Sequence, residues 1–168
     1  MAVPEPKMTI PHMILDVAAT HAGRIAIRGE DGREVAYDDL PSLVARSAAA
    51  FIAAGVSRGD RVAIWAPNST RWIIAAIGAQ AAGAAIVPLN TRLKGREAGY
   101  ILRASGAKLL LTVGEFLGTD YPALIAGEDL PDLGGGVLLG GGGGGLPRGE
   151  VLAPGEETGG APVPGPPA

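Results

Sequence analysis

Five consecutive apolar residues, Val62-Ala63-Ile64-Trp65-Ala66, stand between the polar turn Ser57-Arg58-Gly59-Asp60 and the breaker Pro67-Asn68-Ser69. A strand that is apolar on both faces needs cover on both, which is the condition of a strand inside a parallel sheet. The chain then repeats the unit. Thr70 to Ala82 is apolar nearly all round and reads as a buried helix stopped by Gly83. Ala84 to Pro88 reads as a second strand, Asn90 to Lys94 as a polar loop, and Arg96 to Ala104 as a helix stopped by Gly106. Lys108 to Val113 is the third strand. Strand, helix, strand, helix, strand at this spacing predicts an α/β fold, a mainly parallel sheet with right-handed crossovers and flanking helices.

Upstream, Arg24 to Arg28 alternates around Ile25 and Ile27, and Arg33 to Tyr37 around Val35 and Tyr37. With Gly29-Glu30-Asp31-Gly32 between them, the two runs read as a β-hairpin. Asp38 or Asp39 stands where a helix N-cap belongs. The apolar stripe Leu40, Leu43, Val44, Ala48, Phe51 and Ile52 follows at helical spacing up to Gly55. Trp72 to Leu89, broken only by Gln80, is 18 residues long and reaches the length of a membrane span. Gly78, Gly83 and Pro88 divide it into helix, stop and strand, so a transmembrane segment is not expected.

Composition matters at the other end. The 168 residues include 27 Gly and 14 Pro, and 14 of those Gly and 6 of those Pro fall in the last 35 positions. The sequence therefore divides at residues 1–133, an α/β body that forms part of a larger domain, and 134–168, a low-complexity Gly/Pro-rich tail expected to be disordered. The tail's residue types can all be encoded by GC-rich codons; natural disorder, a damaged or misread gene end and a sequence assembled from a partial record compete as its origin, and a frameshift or truncation after Leu133 is the expected one. Three parallel strands and a hairpin leave sheet edges open, a route to homo-oligomers.

Several functions are disfavoured. There is no cysteine, hence no disulfide, no zinc-thiolate site and no cysteine nucleophile, and a reducing cytoplasm suits the chain. A net charge of −3 without a basic cluster gives no footprint for nucleic acid. Prolines interrupt the start MAVPEPKMTIPHM, where a secretory signal needs an apolar core.

Short motifs add little. Gly55-Val56-Ser57-Arg58-Gly59 matches G-x-S-x-G, but a nucleophile elbow needs a strand before it and a helix after it, the reverse of this context. His12 and His21, with Asp16 between them in a short N-terminal helix, are too few and too far apart for a metal site. In Asn68-Ser69-Thr70 the expected role is helix capping by Asn68 or Ser69 rather than glycosylation. The run Gly140 to Gly145 lacks the lysine and hydroxyl of a phosphate loop and reads as a linker. Ligands of open α/β sheets lie beyond the carboxyl ends of the strands, which directs attention to Pro67-Asn68-Ser69 and Asn90-Thr91-Arg92.

Three ordered blocks carry a resemblance: Val35-Ala36-Tyr37-Asp38-Asp39-Leu40, then Gly59-Asp60-Arg61-Val62-Ala63-Ile64-Trp65-Ala66-Pro67-Asn68-Ser69, then Gly78 through Asn90. With Asn90-Thr91-Arg92-Leu93 following, residues 10 to 133 resemble the N-terminal part of the AMP-forming acyl-CoA synthetases, members of the adenylate-forming superfamily. The resemblance implies a reaction in which a carboxylic acid attacks the α-phosphate of ATP and a thiol, usually coenzyme A, then displaces AMP. It also implies ATP, Mg2+ and CoA for a full-length member, and a fatty, aromatic or steroid-derived acid.

The family's phosphate-holding loop, its magnesium and adenylate motif, its ribose aspartate and its C-terminal lysine have no match in this sequence. The matching blocks are chiefly scaffold, so no catalytic, cofactor-binding or metal-binding residue is carried over, and no cofactor is expected for this chain alone. The expected function is that of a truncated ligase, inactive by itself. The alternative is a non-enzymatic interaction or regulatory module that keeps the ligase scaffold. A small independent nucleotide binder is a third reading, weakened by the missing phosphate loop.

Overall fold

A computed structural model describes residues 9–29, 32–139 and 151–152. The chain opens with α1 (Ile10–Thr20), whose cap Thr9 accepts the His12 amide at 3.4 Å. The antiparallel pair β1 (Ile25–Arg28) and β2 (Glu34–Ala36) follows, with Arg28 paired to Glu34 at 2.7 Å. This is the expected hairpin; Glu30 and Asp31 of its turn lie outside the described residues.

Helix α2 (Leu40–Ala53) begins differently from expectation. Residues 37–39 form a 3-10 turn that runs straight into it, so no break in the backbone exists for a side chain to cap. The two carboxylates tie the turn to earlier residues instead: Asp38 accepts the Gly23 amide at 2.8 Å and Asp39 the Ala36 amide at 3.4 Å.

The main sheet holds β3 (Arg61–Trp65), β4 (Ala85–Pro88), β5 (Ala107–Thr112), β8 (Gly135–Leu138) and β9 (Val151–Leu152) in the order β4-β3-β5-β8-β9. The first four are parallel and β9 is antiparallel to β8. Helix α3 (Thr70–Ala81) joins β3 to β4, and α4 (Gly95–Ser105) joins β4 to β5. Between β5 and β8 lie a small hairpin, β6 (Glu115–Phe116) with β7 (Thr119–Asp120), and the short α5 (Tyr121–Ile125).

The period of two along β3 sorts the core into two layers. Val62 and Ile64 pack with Phe51 of α2 and Ala75, Ala76 and Ala79 of α3. Ala63 and Trp65 face the other way, onto Ala98 and Leu102 of α4 and Tyr121 of α5. These four side chains are fully buried, as a strand covered on both faces requires, and only Arg61 at its start is exposed. Two glycines permit the close approach of helices. A side chain at Gly78 would enter Ser47 of α2, and one at Gly95 would enter the Leu124 carbonyl of α5.

The body does not end at Leu133. β8 continues the parallel sheet from Gly135, paired Leu109 to Gly135 through Thr112 to Leu138, and its Val137 and Leu139 join the core. Composition places the boundary too early because the strand's first half is glycine, which reads as tail although its backbone completes a ladder. Val151 and Leu152, also assigned to the tail, add β9. The remaining tail, Gly140 to Gly145 included, lies outside the described residues.

Candidate functional site at the carboxyl end of the sheet

The crossovers leave β3 and β4 toward opposite faces, so the carboxyl end of β3 is the switch point at which a ligand crevice forms in open α/β sheets. Trp65 closes the strand there. Its ring is fully buried, meets Tyr121 edge-on at 4.7 Å between centroids, and donates Nε1–H to the Asn90 carbonyl at 3.0 Å. Tyr121 donates its hydroxyl to the next carbonyl, that of Thr91, at 2.9 Å. Asn90 turns its own side chain onto the Arg92 amide at 2.9 Å. The Asn90-Thr91-Arg92 loop is thus held at two successive carbonyls by two buried rings, with Arg92, Lys94 and Arg96 exposed beyond it.

On the other side, Ser69 accepts the Trp72 amide at 3.1 Å and caps α3, which resolves the choice between Asn68 and Ser69; Asn68 is exposed. Arg71 reaches the Leu139 carbonyl at 3.3 Å, joining the start of α3 to the end of β8. The buried Thr112 hydroxyl lies 3.0 Å from the Trp65 carbonyl, and the Leu139 amide bonds the Thr112 carbonyl at 2.6 Å. Thr70 Oγ1 is buried without a hydrogen-bond partner in the structure.

Apart from Thr70, the buried donors described at this end are committed to the chain's own carbonyls. Ring N–H, phenol and hydroxyl each have a carbonyl of this chain as partner. Among the described residues no group of three or more His, Cys, Asp or Glu side chains could hold a metal ion. Among the described residues Thr70 Oγ1 is the one buried side-chain polar atom without a hydrogen-bond partner, and a single hydroxyl is not the cluster of amides around a cation that a phosphate cradle needs.

The other motifs resolve as structural. His12 faces its cap, with Nδ1 at 2.9 Å from Thr9 Oγ1, and His21 ends α1 with Nδ1 at 3.2 Å from the Val17 carbonyl, leaving them unassociated with Asp16 in any ligand set. Ser57 lies in the turn between α2 and β3, its amide held by Asp60 at 2.7 Å. No helix among the described residues is long and apolar enough to cross a membrane.

Sequence reasoning missed the roles of Trp65 Nε1, Thr112, Tyr121 and Arg71. Thr112 carried a signal, a polar residue that closes the run Leu109-Leu110-Leu111. The Tyr121 contact with Thr91 spans 30 positions and has no local signature.

Comparison with known proteins agrees with the geometry. The family model for AMP-binding enzyme matches residues 15–138, and the chain belongs to that family. A 7a-methyl-1,5-dioxo-octahydro-1H-inden-4-yl propanoyl:CoA ligase of Mycobacterium tuberculosis is 41% identical over 125 residues, which cover 74% of this chain and 24% of the relative. Its counterpart from Rhodococcus jostii is 37% identical over 118 residues, 68% of this chain and 23% of the relative. The chain thus spans about a quarter of the length of the curated relatives it matches.

Among solved structures, the anthranilate CoA ligase AuaEII in complex with anthranoyl-AMP superposes with a TM-score of 0.69 at 29% identity, covering 80% of this chain and 25% of that one. The N-terminal domain of FACL13 from Mycobacterium tuberculosis gives 0.67 at 27% identity, covering 79% and 34%. The α/β fold with its parallel sheet is that of the N-terminal part of these enzymes.

Proposed function

We propose that this chain is the N-terminal scaffold of an ATP-dependent acid–CoA ligase and performs no ligation by itself. The supporting observation is the occupancy of the carboxyl end. The donors of Trp65, Tyr121 and Thr112 are spent on the chain's own carbonyls, and the matched region supplies no phosphate loop. In the full reaction a carboxylate oxygen attacks the α-phosphorus of ATP and pyrophosphate leaves; the CoA thiol then attacks the acyl carbon and AMP leaves. Negative charge shifts between phosphate oxygens in both steps, and such sites need preorganised cations and amides. The role left to this chain is to hold the sheet and the two loops on which those groups assemble, with Arg92, Lys94 and Arg96 giving positive charge on the loop after β4.

The acid is fatty, aromatic or steroid-derived, and the two relatives named for a fused-ring propanoyl group favour the last. The protein acts in the cytoplasm. ATP–pyrophosphate exchange with purified chain and a panel of such acids tests the reading. No acid-dependent exchange above a heat-killed control is expected, and clear acid-dependent exchange refutes it.

The non-enzymatic module, a scaffold that pairs with a full-length ligase through an exposed sheet edge, is the second reading, favoured by the β8 edge, where Gly135 and Gly136 carry no side chain to repel a neighbour. It requires a monodisperse chain with a cooperative melt. Aggregation and binding of hydrophobic dyes would count against it.

A further inference from the structure

The two edges of the main sheet are closed by different means. At one edge, the amides of Ala85 and Leu89 bond the carbonyls of Asp60, just before β3, and of Ile64 within it at 2.8 and 2.9 Å. Alternation along β4 then turns positions 86 and 88 outward, and residue 88 is proline, which has no amide to offer a further strand. That edge is blunted in the way edge strands are protected from pairing.

The other edge has no such device. β8 begins Gly135-Gly136, without side chains to fix register or repel a neighbour, and glycine-rich strands are those most prone to alternate pairing. β9 lies on it, with Gly136 opposite Leu152 and Val137 opposite Val151. It is antiparallel on a sheet that is otherwise parallel. An antiparallel return needs no helical crossover, and only 11 residues separate Leu139 from Val151.

We propose that Val151–Leu152 is a cis-acting cap that occupies the β8 edge and excludes the strand of a second copy of this chain. The second copy is the competitor because the β4 edge is blunted, which leaves β8 as the extendable edge of the described sheet, and like edges pair with each other. A two-residue ladder is too short to hold by contact alone. Its advantage is proximity: a segment tethered this closely reaches its site at an effective concentration on the order of millimolar, about a thousandfold above a second copy present at micromolar concentration. The cap therefore holds the chain monomeric until it is removed or outcompeted.

Three chains test this: one shortened to end at Ala153, which keeps β9; one shortened to end at Gly145, which lacks it; and the full chain carrying V151P and L152P, whose prolines cannot donate to a ladder. Light scattering over about 1 µM to about 1 mM brackets the tethered concentration, and hydrogen exchange reports the amides of Gly135 to Leu138. The native chain and the Ala153 form are expected to stay monomeric with those amides protected. The Gly145 form and the proline variant are expected to dimerise at least tenfold more readily, with faster exchange at β8 when dilute. Near-UV circular dichroism of the aromatic side chains shows that each remains folded, and if the Gly145 form is unfolded the proline variant alone decides. The proposal is overturned if the deciding variant matches the native chain in mass and exchange, or if the native chain dimerises equally.

Discussion

The two ends of the sheet are fastened by different chemistry. At the amino end the ties are charged. Lys108 meets Asp60 at 3.0 Å and the Gly55 carbonyl at 2.9 Å, while Arg61 gathers the carbonyls of Ser105 and Gly106 at 2.7 and 2.8 Å and that of Gly59 at 3.2 Å. Gly106, in the left-handed region at φ 59°, has no Cβ, and one placed there would come within 2.7 Å of the Arg61 guanidinium. At the carboxyl end the buried anchors are Trp65, Tyr121 and Thr112, neutral groups that donate to carbonyls, with Arg71 reaching the Leu139 carbonyl beside them. The amino-end ties are partly exposed and include a titratable carboxylate, whereas the three carboxyl-end anchors are buried. Stability at one end should respond to pH and salt, and at the other to volume.

The largest effect is expected from Trp65→Ala. The ring is fully buried and links three elements, so truncation removes its packing, its contact with Tyr121 and the bond to Asn90. Large aromatic to Ala changes in cores cost about 3–5 kcal/mol, a large share of the roughly 5–15 kcal/mol that holds a domain folded. Urea denaturation measures it. A loss below about 2 kcal/mol, under the usual range for such truncations, would mean that the carboxyl end collapses around the gap and does not depend on the volume of this ring.

Tyr121→Phe is the finer probe. It keeps the ring against Trp65 and removes only the hydroxyl, which leaves the Thr91 carbonyl unpaired in partly buried surroundings. The expected cost is about 1 kcal/mol, and hydrogen exchange should quicken at the Arg92 and Leu93 amides before it changes elsewhere. Uniform change across the sheet would show that the phenol supports the core rather than the loop.

What sequence could show of all this follows from range. The β3 run, the α2 stripe and the stops at Gly83 and Gly106 are local patterns, and the structure reproduces them within a residue or two. β8 escapes because Gly135 and Gly136 give no alternation to detect. The β6–β7 hairpin escapes because its turn places Leu117, 86% exposed, at φ 51°, where turn chemistry predicts Asn or Gly. α5 has five residues, too few to show a period, yet it brings Tyr121 into the core. The carboxyl-end loops were indicated by the switch-point rule. The side chains that hold them were not, since the Trp65 to Asn90 and Tyr121 to Thr91 contacts join elements far apart in sequence.

The smallest effect belongs to the amino end. The Asp60 carboxyl is held below its ordinary value, first by the Ser57 amide that donates to it and then by the Lys108 ammonium. A carboxylate more acidic in the folded than in the unfolded chain adds stability above its unfolded value, about 3.9, and that increment is lost as pH falls through the lower folded value. Asp60→Asn should thus flatten the acid limb of a stability profile taken from pH 6 downward to about 2, while a neutral amide still accepts from Ser57. Raising salt should narrow the gap between native chain and variant at pH 6, because an exposed pair is screened. An acid limb of equal slope in both proteins would assign the acid sensitivity to other carboxylates and remove the contrast between an acid-sensitive end and an end anchored by buried rings.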